Sequence, residues 1–204
     1  MANGDNVQIG YSCDDWQRHY DTDDLRWDLG EVAPPFERLW EERNISPCKA
    51  IIPGCGRGHE AVFLAERGFQ ITAVDYTRGA VSLLDGALAA KNLPGEVLHL
   101  NFFELDAKYN NSFDLMLEHT FFCAINPDMR QEYVTTAGRI LKSGALFIGL
   151  FYETGEKDGP PFNTGKRDIE ECFSEKFEIE ILNKTIHSAE RRQGKEWLAI
   201  LKRK

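Results

Sequence analysis

The sequence has no apolar run long enough to cross a lipid bilayer. Residues 145–151, among its most apolar stretches, fall far short of the roughly 20 residues that a membrane-spanning helix needs. The first residues also lack the basic and then apolar pattern of a secretory signal. We therefore expect a cytoplasmic protein with no membrane partner.

An excess of positive charge and any metal-binding spacing are also absent. Lys and Arg number 24 against 33 Asp and Glu, and the resulting net charge of −9 argues against a nucleic-acid partner. The 5 cysteines contain no C-x-x-C pair and the 5 histidines no H-E-x-x-H spacing, so the pattern indicates no metal site. Unpaired thiols fit a reducing compartment, and we interpret Cys55 and Cys123 as small packing residues.

The sequence does contain enough apolar material for one packed core. Its 204 residues, 42% of them hydrophobic, suit one α/β domain and are too few for two comfortable ones. We predict a single domain over residues 1–204 and a monomer. The first 33 residues are polar and aromatic, and they predict a short helix and a loop that lie outside the main sheet.

Segments of strand length then alternate with segments of helical periodicity. Repeated β-α-β units with short connections predict a Rossmann-like, doubly wound, mostly parallel sheet between two layers of helices, a three-layer αβα fold. A polar turn joins the last two strands, which predicts an antiparallel C-terminal hairpin and seven strands in all. The predicted strands are residues 49–53, 69–75, 96–102, 113–118, 145–151, 177–187 and 195–202, and the predicted helices are residues 34–44, 57–67, 77–91, 128–141 and 166–173.

A glycine-rich loop is the strongest local signal. An apolar strand runs into Gly54, Gly56 and Gly58, spaced G-x-G-x-G, and a helix follows. Glycine lets the backbone turn sharply and lets a ligand approach closely, and free N–H groups at the helix start favour a polar group. Asp75 ends the next predicted strand, where a carboxylate can accept hydrogen bonds from ribose hydroxyls. Loop and acid together predict a nucleoside-binding site, although three glycines alone would also fit a plain tight turn.

A nicotinamide dinucleotide is the rival ligand for such a loop. Dinucleotide sites favour G-x-G-x-x-G, in which the third glycine lets the helix pack closely on the strand. His59 occupies that position here, and the third glycine comes one residue early. The loop therefore favours an adenosyl ligand with a short tail. An NAD-dependent oxidoreductase is the alternative, and binding of NADH would support it.

Several spaced motifs extend well beyond the glycine loop. They are Trp16-x3-Tyr20-x6-Trp27-Asp-Leu-Gly, Pro53-Gly-Cys-Gly-Arg-Gly, Asn101-Phe-Phe-Glu, Phe121-Phe-Cys-Ala-Ile-Asn-Pro and Gly159-Pro-Pro-Phe. With these motifs, the sequence resembles the thiopurine methyltransferase family of S-adenosylmethionine (SAM)-dependent enzymes, and especially its halide and thiol (thiocyanate) methyltransferase branch. The resemblance runs from about Trp16 to the C-terminus.

The resemblance implies SAM as the methyl donor and assigns residues to it. Residues 1–33 would form an N-terminal lid whose aromatic faces attract the sulfonium cation, although the same rings would also serve as plain packing. Three positions depart from the family: Tyr20 replaces a tryptophan of the plant branch, Asn101 replaces an aspartate, and His119 matches neither branch. The predicted SAM-binding residues are Trp16, Tyr20, Trp27, Gly54, Gly56, Asp75, Asn101, Phe102 and His119.

The expected reaction is an in-line displacement at the SAM methyl group. Halide ions, thiocyanate and hydrosulfide arrive ionised, so the protein mainly supplies position and partial desolvation. A neutral small thiol needs a base, for which His119 and Glu118 are options. No catalytic residue is assigned with certainty, and His119 and Tyr152 are the candidates. Phe122 and Tyr152 are the predicted walls of the acceptor pocket. Methylation of aromatic thiols, including thiopurines, and SAM binding without catalysis are the alternative functions.

Overall fold

The computed structural model describes residues 10–204, and residues 1–9 of the predicted lid lie outside the described part. We use "the lid" for residues 10–33. The helices are α1 (Cys13–Asp21), α2 (Pro34–Glu42), α3 (His59–Glu66), α4 (Arg78–Ala90), α5 (Arg130–Ile140) and α6 (Lys166–Phe173). The strands are β1 (Lys49–Pro53), β2 (Gln70–Asp75), β3 (Glu96–His99), β4 (Phe113–His119), β5 (Leu141–Tyr152), β6 (Phe177–Lys184) and β7 (Glu196–Arg203). None of the described helices combines the length and the apolar character needed to cross a membrane.

The seven strands form one mixed sheet in the order β3-β2-β1-β4-β5-β7-β6. The first five strands are parallel, and β7 inserts antiparallel between β5 and β6. This arrangement confirms the predicted doubly wound sheet with an antiparallel C-terminal hairpin. Because the chain leaves β1 toward β2 and β3 but later returns to β4 on its other side, the order reverses between β1 and β4. Ligands of open α/β sheets bind at such a switch point, beyond the carboxyl ends of the strands.

Two apolar clusters cover the two faces of the sheet. One packs α5 and α6 on the sheet through Tyr133 and Phe173, and the other packs α2, α3 and α4 through Phe36, Leu64 and Leu84. All five of these side chains are fully buried. Burying a large apolar side chain stabilises a fold by roughly 1.5–3 kcal/mol, so these clusters fix the positions of the strand ends that form the site.

Local capping signals in the sequence are confirmed. The Thr77 hydroxyl accepts a hydrogen bond from the backbone N–H of Ala80 at 3.4 Å and so caps α4. Gly68 follows α3 with a φ of +81°, the left-handed conformation that ends many helices.

Several predicted boundaries differ from the structure because side chains redirect the backbone. β3 ends at His99, and the Asn101 side chain caps a 3-10 turn over Phe102–Glu104. The predicted helix at 128–141 starts later, at Arg130, because Asn126 caps a separate turn over Pro127–Met129. Leu141, predicted as the last helical residue, and residues 142–144, predicted to terminate the helix, belong instead to β5.

Candidate functional site

A large cavity opens at the carboxyl edge of the sheet, over the switch point. Its volume is about 1360 Å³, larger than the roughly 300–1,000 Å³ typical of ligand pockets. It therefore has room for a donor and an acceptor side by side. Every residue predicted to bind SAM or substrate lines this cavity except Phe122.

The glycine loop forms the floor of the cavity between β1 and α3. Gly54, Gly56 and Gly58 all have positive φ values, of +55°, +54° and +81°. A Cβ on Gly54 would lie only 2.6 Å from the ring of Phe121, so no larger residue fits there. The loop thus brings bare backbone to the cavity surface, where a ligand can approach without meeting a side chain.

Asp75 stands at the end of β2, beside the glycine loop. Its Oδ1 accepts hydrogen bonds from the backbone N–H of Thr77 at 2.9 Å and from the Thr77 hydroxyl at 2.7 Å. Its Oδ2 accepts one from the N–H of Gly56 at 3.1 Å. Since a carboxylate offers about four acceptor positions, Oδ2 keeps one for a ligand hydroxyl. Burial raises the pKa of the Asp75 carboxyl, as expected for a carboxylate at a partly dry cavity wall.

Asn101 and Phe102 line the cavity just beyond the end of β3. The Asn101 side-chain oxygen accepts from the N–H of Phe103 at 3.3 Å, which fixes the turn. The ring of Phe102 is buried against Phe121, with 5.8 Å between the ring centroids. Together with Asp75, this part of the wall offers a carboxylate, an amide and aromatic surface over β2 and β3.

The lid covers the same side of the cavity. Trp16 and Trp27 meet edge to face at 5.1 Å between ring centroids, and Tyr20 lies 5.9 Å from Trp27. The helix α1 docks on the start of α4, where the N–H of Gly79 donates to the Gln17 side-chain oxygen at 3.0 Å. A Cβ on Gly79 would lie 2.4 Å from the Cβ of Tyr20, so the two segments touch at their closest possible approach.

Charged side chains fasten the lid to the glycine loop. The Nε2 of His59 lies 2.9 Å from Asp28, and Arg57 lies 2.5 Å from Asp23 and 3.2 Å from Asp28. The hydrogen bond to Asp28 raises the pKa of His59, so this imidazole stays protonated to higher pH than an ordinary histidine. While Asp28 is ionised, the ion pair contributes fully below the ordinary pKa of histidine and fades as the pH rises through that raised pKa. The residue that distinguishes this loop from a dinucleotide loop thus holds the lid.

His119, at the end of β4, sits in a buried polar chain. Its Nδ1 lies 2.8 Å from Glu60 Oε1, and its Nε2 lies 2.8 Å from Arg192 Nη1. A guanidinium only donates hydrogen bonds, so Nε2 must be the acceptor and Nδ1 must carry the proton that Glu60 receives. The Nε2 lone pair is thus occupied, and His119 is not a free base in this arrangement.

Arg192 lines the cavity, although the sequence did not predict it as a site residue. It precedes β7, is buried, and donates from Nη1 to Glu196 at 3.1 Å in addition to His119. Its Nη2 donates to the backbone carbonyl of Trp27 in the lid. Its guanidinium carbon lies 5.6 Å from the centroid of the Tyr152 ring. Nothing in a polar turn such as Glu190–Arg192 marks one of two adjacent arginines as buried, so only the fold identifies it.

Phe122 is the one predicted wall residue that the structure places elsewhere. Its ring is fully buried in the core against Tyr133 and Phe151, at 5.1 and 5.3 Å between centroids, while Phe121 lines the cavity instead.

Glu118 is also away from the cavity. It accepts from the N–H groups of Phe121 and Phe122 at 2.9 and 2.8 Å, and so holds the turn after β4.

Two thiols near the site are suited to packing rather than nucleophilic attack. Burial raises the pKa of Cys123 to about 12 and that of Cys55 well above its ordinary value. A thiol with a raised pKa forms little thiolate near neutral pH, and the thiolate is the reactive form.

Comparisons with known proteins agree with this architecture. The family model for thiopurine S-methyltransferase matches residues 11–202. The chain is similar to thiocyanate methyltransferase 1 of Arabidopsis thaliana, with 25% identity over 193 residues that cover 92% of this chain and 84% of that protein. It is also similar to thiopurine S-methyltransferase of Pseudomonas putida (strain GB-1), with 24% identity, covering 78% of this chain and 81% of the relative.

A solved structure has the same fold along the whole chain. It is the 1,6-didemethyltoxoflavin-N1-methyltransferase of Burkholderia thailandensis with bound S-adenosylhomocysteine. The TM-score is 0.74 at 17% identity, and the match covers 100% of this chain and 98% of that one. At this identity the likeness concerns the fold alone.

Proposed function

Since the chain belongs to the thiopurine S-methyltransferase family and is a SAM-dependent methyltransferase, we propose that its acceptor is a small soft anion: a halide ion, thiocyanate or hydrosulfide. The observation that carries this proposal is Arg192, a buried cation beside Tyr152 in a part of the cavity where His119 is not free to act as a base. Such a site suits a nucleophile that arrives already ionised.

The half of the cavity over β1, β2 and β3 fits the donor. Bare backbone at Gly54 and Gly56 would accept the methionine part, Asp75 the ribose, and Asn101 with Phe102 the adenine. When bound, SAM supplies a methyl group on a cationic sulfur, and transfer breaks that S–C bond as the acceptor's lone pair forms the new bond. Trp16 and Trp27 would face the cation and exclude water from above.

Replacing Asp75 by alanine is expected to weaken SAM binding at least tenfold. The change removes the hydrogen bond to the ligand. It also releases Gly56, whose backbone N–H donates to the Asp75 carboxylate at 3.1 Å. Loss of one charge-assisted hydrogen bond corresponds to about 1.5–3 kcal/mol, or more than a tenfold change in affinity. Calorimetric titration with SAM measures the effect. Unchanged affinity in a folded variant would remove Asp75 from the donor site.

The half over β4 and β5 supports an anionic acceptor. A guanidinium has five N–H donors, and Arg192 uses three of them, on His119, Glu196 and the lid backbone. Two donors are left for an anion that binds at the edge of the guanidinium, next to Tyr152. In a buried site a fixed positive charge attracts an anion more strongly than it would in water, and it also takes the place of part of the anion's hydration shell.

The names of the relatives support acceptors of this chemistry without separating them. One relative is a thiocyanate methyltransferase and another a thiopurine methyltransferase. A thiopurine is larger, and it becomes a good nucleophile only after its thiol has lost a proton. Because the Nε2 of His119 already accepts from Arg192 at 2.8 Å, this arrangement favours the acceptor that needs no base.

A headspace assay tests the proposal. The purified protein is incubated with SAM and, separately, iodide, bromide, chloride, thiocyanate or hydrosulfide, and the gas phase is analysed for the methylated product. We expect methyl iodide or a methylated sulfur product well above the protein-free control. A parallel reaction with a thiopurine is followed by its absorbance. The proposal would be overturned if no small anion gave a methylated product while calorimetry showed SAM binding and the thiopurine was turned over. The acceptor would then be an aromatic thiol.

A further inference from the structure

Two consecutive arginines hold three consecutive backbone carbonyls of the lid. Arg191 donates from Nη1 to the carbonyl of Arg26 at 2.8 Å and from Nη2 to the carbonyl of Asp28. Arg192 donates from Nη2 to the carbonyl of Trp27, which lies between them. We call this arrangement the clasp. It joins segments more than 160 residues apart in sequence, the lid and the turn before β7.

The clasp reaches both halves of the cavity through one rigid group. The guanidinium of Arg192 is planar, so its Nη1 and Nη2 cannot move independently. Nη2 holds the lid backbone at Trp27, whose ring lies over the donor side. Nη1 faces His119 and Glu196 on the acceptor side, at 2.8 and 3.1 Å. A lid that moves away removes one of the three partners that fix this guanidinium.

We propose that the clasp couples lid closure to the acceptor site, with Arg191 as a positioning residue that sets Arg192 through the lid. This inference rests on the proposed function for the identity of the acceptor, but its geometry does not. Arg191 is exposed at the rim and has both terminal nitrogens on lid carbonyls, so it holds the lid rather than the reacting groups. When the lid is closed, Arg192 is fixed over Tyr152. When it is open, the guanidinium loses its hold on the Trp27 carbonyl and is free to turn away from Tyr152. A donor that closes the lid therefore also completes the acceptor site, and linkage requires the reverse effect to be equal.

Trypsin cleavage after Arg26 reports directly on the clasp. The carbonyl that trypsin attacks there is the one that Arg191 holds, while the Arg26 side chain is 87% exposed and available to the protease. The full-length protein is digested in the presence of saturating S-adenosylhomocysteine, and cleavage at this bond is followed by mass spectrometry. Because cleavage follows the population of the open form, loss of two hydrogen bonds in Arg191→Ala should speed it about tenfold.

Two further variants separate the clasp from simple lid binding. Glu196→Gln weakens the hold on Arg192 from the side away from the lid, and Glu196 has no hydrogen bond to residues 10–33. Coupling therefore predicts cleavage after Arg26 severalfold faster than in the wild type. Arg167→Ala is the matched control, since Arg167 is an exposed arginine on α6 that pairs with Glu171 in the described part of the chain, and it should leave cleavage unchanged. Wild-type cleavage in Arg191→Ala, or in a folded Glu196→Gln, would overturn the proposal.

Kinetics with thiocyanate add a readout that a purely structural role would not change. At saturating SAM, Arg191→Ala should raise the KM for thiocyanate about fivefold and leave kcat within about twofold, and Arg191→Lys should restore part of the loss because it can hold one carbonyl. A raised KM for SAM with an unchanged KM for thiocyanate would show a lid without coupling. The proteolysis experiment tests the clasp without any turnover of an acceptor. If the protein does not methylate thiocyanate, the clasp can therefore still be tested separately from the proposed acceptor.

Discussion

Replacing Gly79 by alanine is expected to lower the affinity for SAM by roughly one to two orders of magnitude while leaving the domain folded. The added methyl group would lie 2.4 Å from the Cβ of Tyr20 and 3.1 Å from the amide nitrogen of Gln17, both on α1. The contact with Tyr20 cannot be relieved by turning a side chain, because the Cβ of Tyr20 is fixed to its backbone. Overpacking of this kind costs about 1–3 kcal/mol, and here that cost falls on the docked lid.

The same helix supplies a matched control. Gly86 also lies in α4, and a Cβ there would meet nothing within 4 Å. Gly86→Ala should therefore stabilise the protein by roughly 0.5–1 kcal/mol without changing SAM affinity, since alanine loses less backbone freedom in a helix than glycine does. Gly79 has a helical backbone as well, so Gly79→Ala should not lower the melting temperature.

Calorimetric SAM titrations and thermal melts of the two variants distinguish the lid from the helix. Wild-type SAM affinity in Gly79→Ala would mean that the donor binds equally well when α1 is not packed against the start of α4. A melting temperature lowered in both variants would place the defect in α4 itself. Loss of affinity in Gly79→Ala alone is the result expected of a lid that covers the donor.

The donor half of the site was predictable because its signals are local. Gly54, Gly56 and Asp75 are fixed by a strand, a turn and the next strand, and the alternation of elements places both strand ends at one edge of the sheet. The role of Gly79 had no such signal. A glycine in a helix has no meaning in sequence until the segment that packs on it is known, and that segment lies 62 residues away at Gln17.

The misplacement of Phe122 has a specific backbone cause. The alternation of side chains between the two faces of a strand does not continue regularly after β4. Thr120 adopts a φ of +63°, which only a few per cent of non-glycine residues show. This left-handed residue ends the extended chain, and the turn that follows places Phe121 at the cavity and Phe122 in the core. The buried carboxylate of Glu118 holds the turn by accepting the N–H groups of both phenylalanines. Such conformations cost about 1–3 kcal/mol and occur where surrounding contacts impose them.

Replacing Arg192 by glutamine is expected to lower kcat/KM for thiocyanate or iodide by roughly a hundredfold or more. Truncating one partner of a buried, hydrogen-bonded charge pair costs about 2–5 kcal/mol, and the anion loses the cation that would hold it beside Tyr152. SAM affinity should fall only severalfold, because among the donor-side contacts only the bond from Arg192 to the Trp27 carbonyl is lost. Initial rates with varied anion at saturating SAM, together with SAM calorimetry, measure the two effects separately.

The obvious objection to that experiment is that Glu196 would be left buried without its cation. Glu196 is only 1% exposed and lies 3.1 Å from Arg192, so Arg192→Gln alone should destabilise the fold. The double variant Arg192→Gln with Glu196→Gln removes both charges and should recover most of the melting temperature. If Arg192 acts on the acceptor, this stable double variant stays as inactive as the single one. If activity returns with stability, Arg192 only neutralises Glu196, and the anion must be held by other groups in the cavity. Because Arg192 lines the cavity and Glu196 lies buried behind it, the comparison shows whether the positive charge serves the fold or the acceptor.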